Sequence, residues 1–377
     1  MELPCDIYNK DGVLLWVAGS IIKNSGQAEK LAEEGFRTEL QEWTPVRRSS
    51  KTGGGAANAT ERTYVYHTVV DAILEILLPV NYIMDVFKTD TFFKEKRNLT
   101  PQIDAVVDIV IDICKNHEDE AIGTIHMFRE GKFIVLNAIY NCIMTVIICK
   151  SINVKEKYQR ALAAAALTSN AGMVKLLDGL CSQKVAMSVE QKLEFQGHPE
   201  NSVMLLTRAG VRDSVWLDTV YMHHELLNGS GFPRGLKDEA IPVGARILGI
   251  ADAYVSLILP KKIMQQAISP PQALAKLFKK NLKVFDKKIM SKGINRLGTM
   301  PPGTFVSLKD GGIGIVINNG GESKKPMITK VGENITRFYS EFPLVARFSV
   351  KEIVLPPIQV PKKLFKLWAS YDALRQK

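Results

Sequence analysis

Cysteine and histidine are scarce in this sequence, and its opening carries no apolar leader. Five cysteines occur among 377 residues (Cys5, Cys114, Cys142, Cys149 and Cys181), and no two share a CxxC or metal-finger spacing. That excludes a disulfide-stapled secreted fold and a thiolate zinc module. Four of the five lie in apolar, helix-like stretches, where a free thiol behaves as a small hydrophobe, so a reducing cytoplasm is the expected compartment. The first residues, MELPCDIYNKDG, lack the basic and apolar regions of a signal peptide. Only residues 133–149 are apolar enough to raise the question of a membrane. Asn137, Tyr140, Asn141 and Thr145 interrupt them and the run is short, so a buried core helix is expected rather than a span. No long internal repeat is present, and low complexity is confined to one tract.

Hydrophobic residues make up 46% of the chain and charged residues 23%, an ordinary globular balance long enough for two or three domains. The formal charge of +10 reads as solubility or as an anionic partner, and charge alone does not separate these.

Residues 1–46 read as a small α/β domain. Asp11-Gly12 forms a hairpin signal between two apolar segments, and a short helix over residues 27–34 stops at Gly35. Residues 47–63, RRSSKTGGGAANATERT, have the composition of a flexible linker. Residues 64–295 are mostly helical: Val69, Val70, Ala72, Ile73, Ile76 and Leu77 recur at three- and four-residue spacing, as do Ile103, Val106, Val107, Val110 and Ile113. From residue 296 to 377 the pattern changes to strand, Asp310-Gly311-Gly312 turn and strand, closing on a helical tail. That tail carries Leu364, Leu367, Trp368, Tyr371 and Leu374 on one face. The fold class expected is mainly α, with a small α/β unit before the helices and a small β module after them.

Chemistry concentrates in one stretch. Two of only six histidines are adjacent, His223-His224-Glu225, and are followed by Asn228-Gly229-Ser230-Gly231-Phe232-Pro233 and then by Ala251-Asp252 at the end of an apolar run. Imidazole and carboxylate together suit Fe, Mn or Zn. A lone Asp on a buried helix is costly without a cationic or hydrogen-bonding partner. Adjacent histidines taken alone are more often structural, and the glycines and Pro233 build a tight loop whether or not the site is active.

The run HHExxNGSGFPRGL…IPxxARILxIADAY resembles the signature of the HD-GYP family of cyclic-dinucleotide phosphodiesterases, with Phe232 in place of the family's Tyr. The resemblance implies a helical bundle that holds two or three metal ions, and hydrolysis of a phosphodiester such as cyclic di-GMP. Two metals suit that reaction by stabilising both the attacking and the leaving oxygen. Carried onto this chain, it places metal ligands at His198 (the His-Pro histidine), His223, His224 and Asp252, and signature-loop roles at Glu225, Gly231, Phe232 and Pro233. It also implies gaps. Ser169 and Asn170 stand where the family has its His-Asp pair, and Asn137 aligns with the first His. Leu259 falls where a ligand-binding Arg would stand, leaving Lys262 to meet a phosphate as a point charge.

The resemblance with these gaps implies a non-catalytic bacterial signalling protein, a regulator or receptor in cyclic di-GMP-type signalling with protein partners. The alternative is a mononuclear phosphodiesterase. No metal or one divalent ion is expected, not a pair, and nucleic acid is not the expected partner.

Overall fold

A computed structural model describes residues 7–8, 14–16, 68–89, 98–183, 185–259, 268–281, 284–319, 326–334, 337–338, 350–357 and 359–368. The chain divides into two compact units, Met1–Arg47 and Arg48–Lys377. In the first, β1 (Ile7–Tyr8) pairs antiparallel with β2 (Leu14–Trp16). The Asp11-Gly12 turn, the 27–34 helix, the 47–63 linker, Lys262 and the tail beyond residue 368 lie outside the described residues.

The second unit opens with α1 (Val69–Lys88), where Thr68 accepts a hydrogen bond from the Asp71 amide and Lys88 stands in the last turn, facing the negative end of the helix dipole. Pro101 sits in the first turn of α2 (Thr100–Asn116), where its missing N–H costs nothing. There follow α3 (Glu118–Met127), α4 (Phe133–Ser151) and α5 (Glu156–Thr168). Every residue of α4 from 134 through 149 is buried, because α1, α2, α5, α9 and α11 all pack on it. By length and composition α4 could cross a membrane, yet 89% of its most apolar window is inside this unit. Its apolar surface is therefore spent on the core, at roughly 1.5–3 kcal/mol for each large side chain.

A short 3-10 turn (Ala171–Met173) leads into α6 (Val174–Ser182) and then α7 (Val189–Arg208). A reciprocal capping box starts α7: Ser188 Oγ accepts from the Gln191 amide, and Gln191 Oε1 accepts from the Ser188 amide. Asp213 caps α8 (Ser214–Met222). The remaining helices are α9 (Val243–Ile258), α10 (Pro270–Asn281) and α11 (Lys287–Leu297), the last stopped by Gly298 at φ +78°.

Five strands then form an antiparallel sheet: β3 (Phe305–Leu308), β4 (Ile313–Asn318), β5 (Met327–Asn334), β6 (Arg337–Phe338) and β7 (Val350–Val354), in the order β6-β5-β4-β3-β7. The β3–β4 hairpin falls where the Asp-Gly-Gly turn is read from sequence. Val306, Leu308, Val316 and Ile328 make its core. Polar bonds hold the sheet to the helices. His126 Nδ1–H donates to the Pro302 carbonyl at 2.7 Å, and Trp368 Nε1–H donates to the Ile317 carbonyl at 2.8 Å. Leu364, Leu367 and Trp368 are buried, so the described part of the tail packs on this unit.

Candidate metal centre

Three histidines meet between α7 and the end of α8. His198 is on α7 just before Pro199, and His223 is the C-cap of α8, so His223 and His224 sit at the negative end of a helix dipole, which favours a cation. Their ligand atoms all lie within 4.8 Å of one another.

Backbone carbonyls fix two of the tautomers. His198 Nδ1–H donates to the Phe195 carbonyl at 2.5 Å and His223 Nδ1–H to the Val220 carbonyl at 2.7 Å, leaving both Nε2 atoms as bare acceptors. Those two Nε2 atoms face each other at 3.4 Å. Two lone pairs at that distance repel unless a cation lies between them. His224 Nε2 is buried and has no hydrogen-bond partner. Protonation is a poor remedy: burial, reinforced by His223, pushes His198 down to about 3, and burial lowers His223 and His224 as well, though Asp252 opposes the shift at His223. Neutral imidazoles with converging acceptors fit a divalent metal ion.

Aromatic rings close the site. Phe232 stacks on His224 with ring centres 4.7 Å apart, and Phe195 lies 5.4 Å from His198 and 5.6 Å from His224. Phe195 was invisible as a site residue in the sequence; its only signal is a place three residues before His198. Glu225 is engaged by the loop that follows it. Its carboxylate is buried and accepts from the Arg234 amide at 2.6 Å and the Leu236 amide at 2.8 Å, holding the loop that carries Gly231, Phe232 and Pro233.

Two glycines set the spacing. A Cβ on Gly172 would meet the His198 carbonyl oxygen at 2.5 Å, and one on Gly249 would meet the His223 carbonyl oxygen at 2.7 Å. The 3-10 turn and α9 therefore approach the histidine-bearing backbone as closely as they do only because no side chain intervenes.

Asp252, on α9, stands apart from the three-histidine cluster yet near enough for its charge to act on His223. Its partner is Asn141 of α4, whose Nδ2 donates to Asp252 Oδ1 at 2.9 Å and lies 3.4 Å from Asn137 Oδ1. Asn170 Nδ2 donates to the same Asn137 oxygen at 2.7 Å. Three buried amides thus form a chain ending on Asp252, leaving the Asn141 and Asn170 carbonyl oxygens without partners. Ser169 turns away: it is the C-cap of α5, its hydroxyl donates to the Ala166 carbonyl, and its carbonyl accepts from Ser202. Asn141 counted in the sequence only as a polar break in an apolar run, because nothing local pairs it with a residue 111 positions away.

The model for the HD domain matches residues 135–289, which contain every residue of this centre. The chain is 25% identical over 184 residues to the cyclic di-GMP phosphodiesterase PdeB of Borreliella burgdorferi, covering 49% of this chain and 48% of that protein. It is 20% identical over 218 residues to the cyclic di-GMP phosphodiesterase PA4108 of Pseudomonas aeruginosa, covering 58% and 52%. The matches thus span about half the length of these relatives. Among solved structures, Bd1817, an HDG"Y"P protein from Bdellovibrio bacteriovorus, superposes with a TM-score of 0.52 at 14% identity, over 78% of this chain and 94% of that one, a likeness of fold. Residues 135–289, which carry the histidine cluster, match the HD domain, and the chain around them is similar to cyclic di-GMP phosphodiesterases.

Proposed function

We propose that this chain holds one divalent metal ion, not a pair, and acts in cyclic-dinucleotide signalling as a receptor or regulator rather than as an efficient hydrolase. The observation that carries this is the amide chain Asn170–Asn137–Asn141–Asp252. His198, His223 and His224 offer nitrogen ligands on one side. Asp252, whose charge reaches His223, is bound to neutral amides already hydrogen-bonded to one another, and an amide oxygen has neither the charge nor the basicity to bridge two cations. Asp252 is the one carboxylate left to complete the set. When bound, such an ion supplies Lewis-acid polarisation of a phosphoryl oxygen. The protein's own residues orient the imidazoles through the Phe195 and Val220 carbonyls, and exclude water with Phe195 and Phe232. The relatives' named substrate supports a cyclic dinucleotide as the ligand class.

Elemental analysis of protein purified without chelator, beside a cyclic di-GMP hydrolysis assay, tests the reading. One Fe, Mn or Zn per chain with no useful turnover is expected. Two ions per chain, or turnover that His223→Ala abolishes, would sink it. A mononuclear phosphodiesterase is the second reading, favoured by the three converging nitrogens, and one ion with His223-dependent turnover would establish it in place of the first.

A further inference from the structure

The +10 charge of the chain is not spread evenly. Residues 260–298 hold nine lysines and one arginine against a single acidic residue, Asp286, a net +9. Residues 1–259 carry a net −5. Residues 299–377 add a net +6, spread over twice the length, so positive charge is densest on α10, α11 and the residues around them.

Both helices pack on α9. Ala273, Leu274 and Leu277 of α10 are buried, as are Ile289, Met290 and Leu297 of α11. Their outer faces carry Lys276, Lys279, Lys287, Lys288 and Lys292, all exposed. None of these five lysines forms an ion pair among the described residues, whereas Arg296, the segment's one arginine, is held by Glu118. The two helices are joined by five residues, so the end of α10 and the start of α11 stand within about 20 Å of each other. At that corner Asp286, Asp238 and Glu239 mix with Lys287 and Lys288; Lys276, Lys279 and Lys292 lie on faces without an acidic residue of their own helix. Phe278, which precedes Lys279 in α10, is 44% exposed.

Burying three apolar residues accounts for one side of α10; it does not account for an exposed phenyl ring at the edge of the lysine-bearing face. Lysines clustered on an amphipathic helix, with an apolar ring at the edge of the polar face, suit a layer of anionic headgroups. Lysine is a compact point charge that does not require a matching planar partner. Recognition of nucleic acid favours arginine forks and several aromatic platforms, and here the free cations are all lysine and the exposed aromatic is single. We propose that the outer face of α10 and α11 docks on a membrane surface rich in anionic phospholipid, with Phe278 entering the headgroup region. The inference is independent of whether the histidine centre holds a metal.

Co-sedimentation of the full chain with vesicles tests it. The protein is expected to pellet with phosphatidylcholine–phosphatidylserine vesicles and not with phosphatidylcholine alone, and to be released by salt. A lysine near an acidic leaflet is worth about five-fold in partition, so Lys276→Gln with Lys279→Gln lowers binding about 25-fold. Phe278→Ser weakens the binding that persists at raised salt. All three side chains are exposed, so unchanged thermal unfolding certifies the fold of each variant. Equal partition into both kinds of vesicle, or no binding to either, overturns the proposal. So does tighter binding to a DNA or RNA oligonucleotide that the same lysine substitutions abolish, which would assign the face to nucleic acid.

Discussion

Each histidine of the centre owes its state to one neighbour: the Phe195 carbonyl for His198, the Val220 carbonyl for His223, and an enclosing phenyl ring for His224. Removing one ligand from a three-histidine set should cost most of the affinity. His198→Ala is therefore expected to lose the metal during purification, read by elemental analysis. Asn141 works one step further out, holding Asp252 by a single hydrogen bond. Asn141→Leu is expected to weaken metal binding by about 10- to 100-fold, the usual effect of losing an outer partner, measured by competition with a chromogenic chelator. A third residue bears on pH. Burial holds His126 down to about 3, with its Nδ1–H on the Pro302 carbonyl and its Nε2 accepting from Tyr254. The unfolded chain takes up that proton near pH 6.5 and the folded chain only near 3. Stability from a neutral His126 is thus complete above about pH 6.5 and falls as pH drops, by roughly 1.4 kcal/mol per unit. His198, His223 and His224, lowered by the same burial, add to it, so urea unfolding between pH 7 and 5 should show at least this slope, and His126→Gln should reduce it by His126's share.

Between elements, close approach matters more than propensity. Alanine usually stabilises a helix relative to glycine, by up to about 1 kcal/mol. At Gly249 the sign is expected to reverse, because the new methyl group would meet the His223 carbonyl oxygen at 2.7 Å. Gly249→Ala should destabilise by roughly 1–3 kcal/mol and weaken metal binding together, by denaturant titration and chelator competition. The tail makes a similar point. Trp368 is 2% exposed and donates to the Ile317 carbonyl on the central strand β4, so Trp368→Ala is expected to cost about 3–5 kcal/mol by urea unfolding. The helical period of residues 69–77 and 103–113, the β3–β4 turn and the apolar character of Leu364, Leu367 and Trp368 were all legible in the sequence, since each is a local pattern. Strands β5, β6 and β7 were not: β7 pairs with β3 across more than forty residues, and no local signal specifies that partner.

For the whole molecule, the HD-domain resemblance and the histidine half of the candidate centre were readable because one contiguous stretch carries His223, His224 and Asp252, with His198 upstream. The amide half was readable only as missing ligands. Asn137→His with Ser169→His and Asn170→Asp should raise the metal content from one ion per chain toward two and bring hydrolysis of cyclic di-GMP. Overpacking at buried Asn137 should cost about 1–3 kcal/mol. If only the deficit at these three positions separates the chain from a paired-metal site, that variant repairs it. By itself the sequence determined the helices, the signature loop and the histidines that meet in the candidate centre, because short-range periodicity and residue chemistry carry that information. What the tertiary structure alone decided is how those groups meet. It joins Asn141 to Asp252, brings Phe195 against the histidines, and turns Ser169 toward backbone rather than toward a metal, since these depend on contacts between helices far apart in the chain.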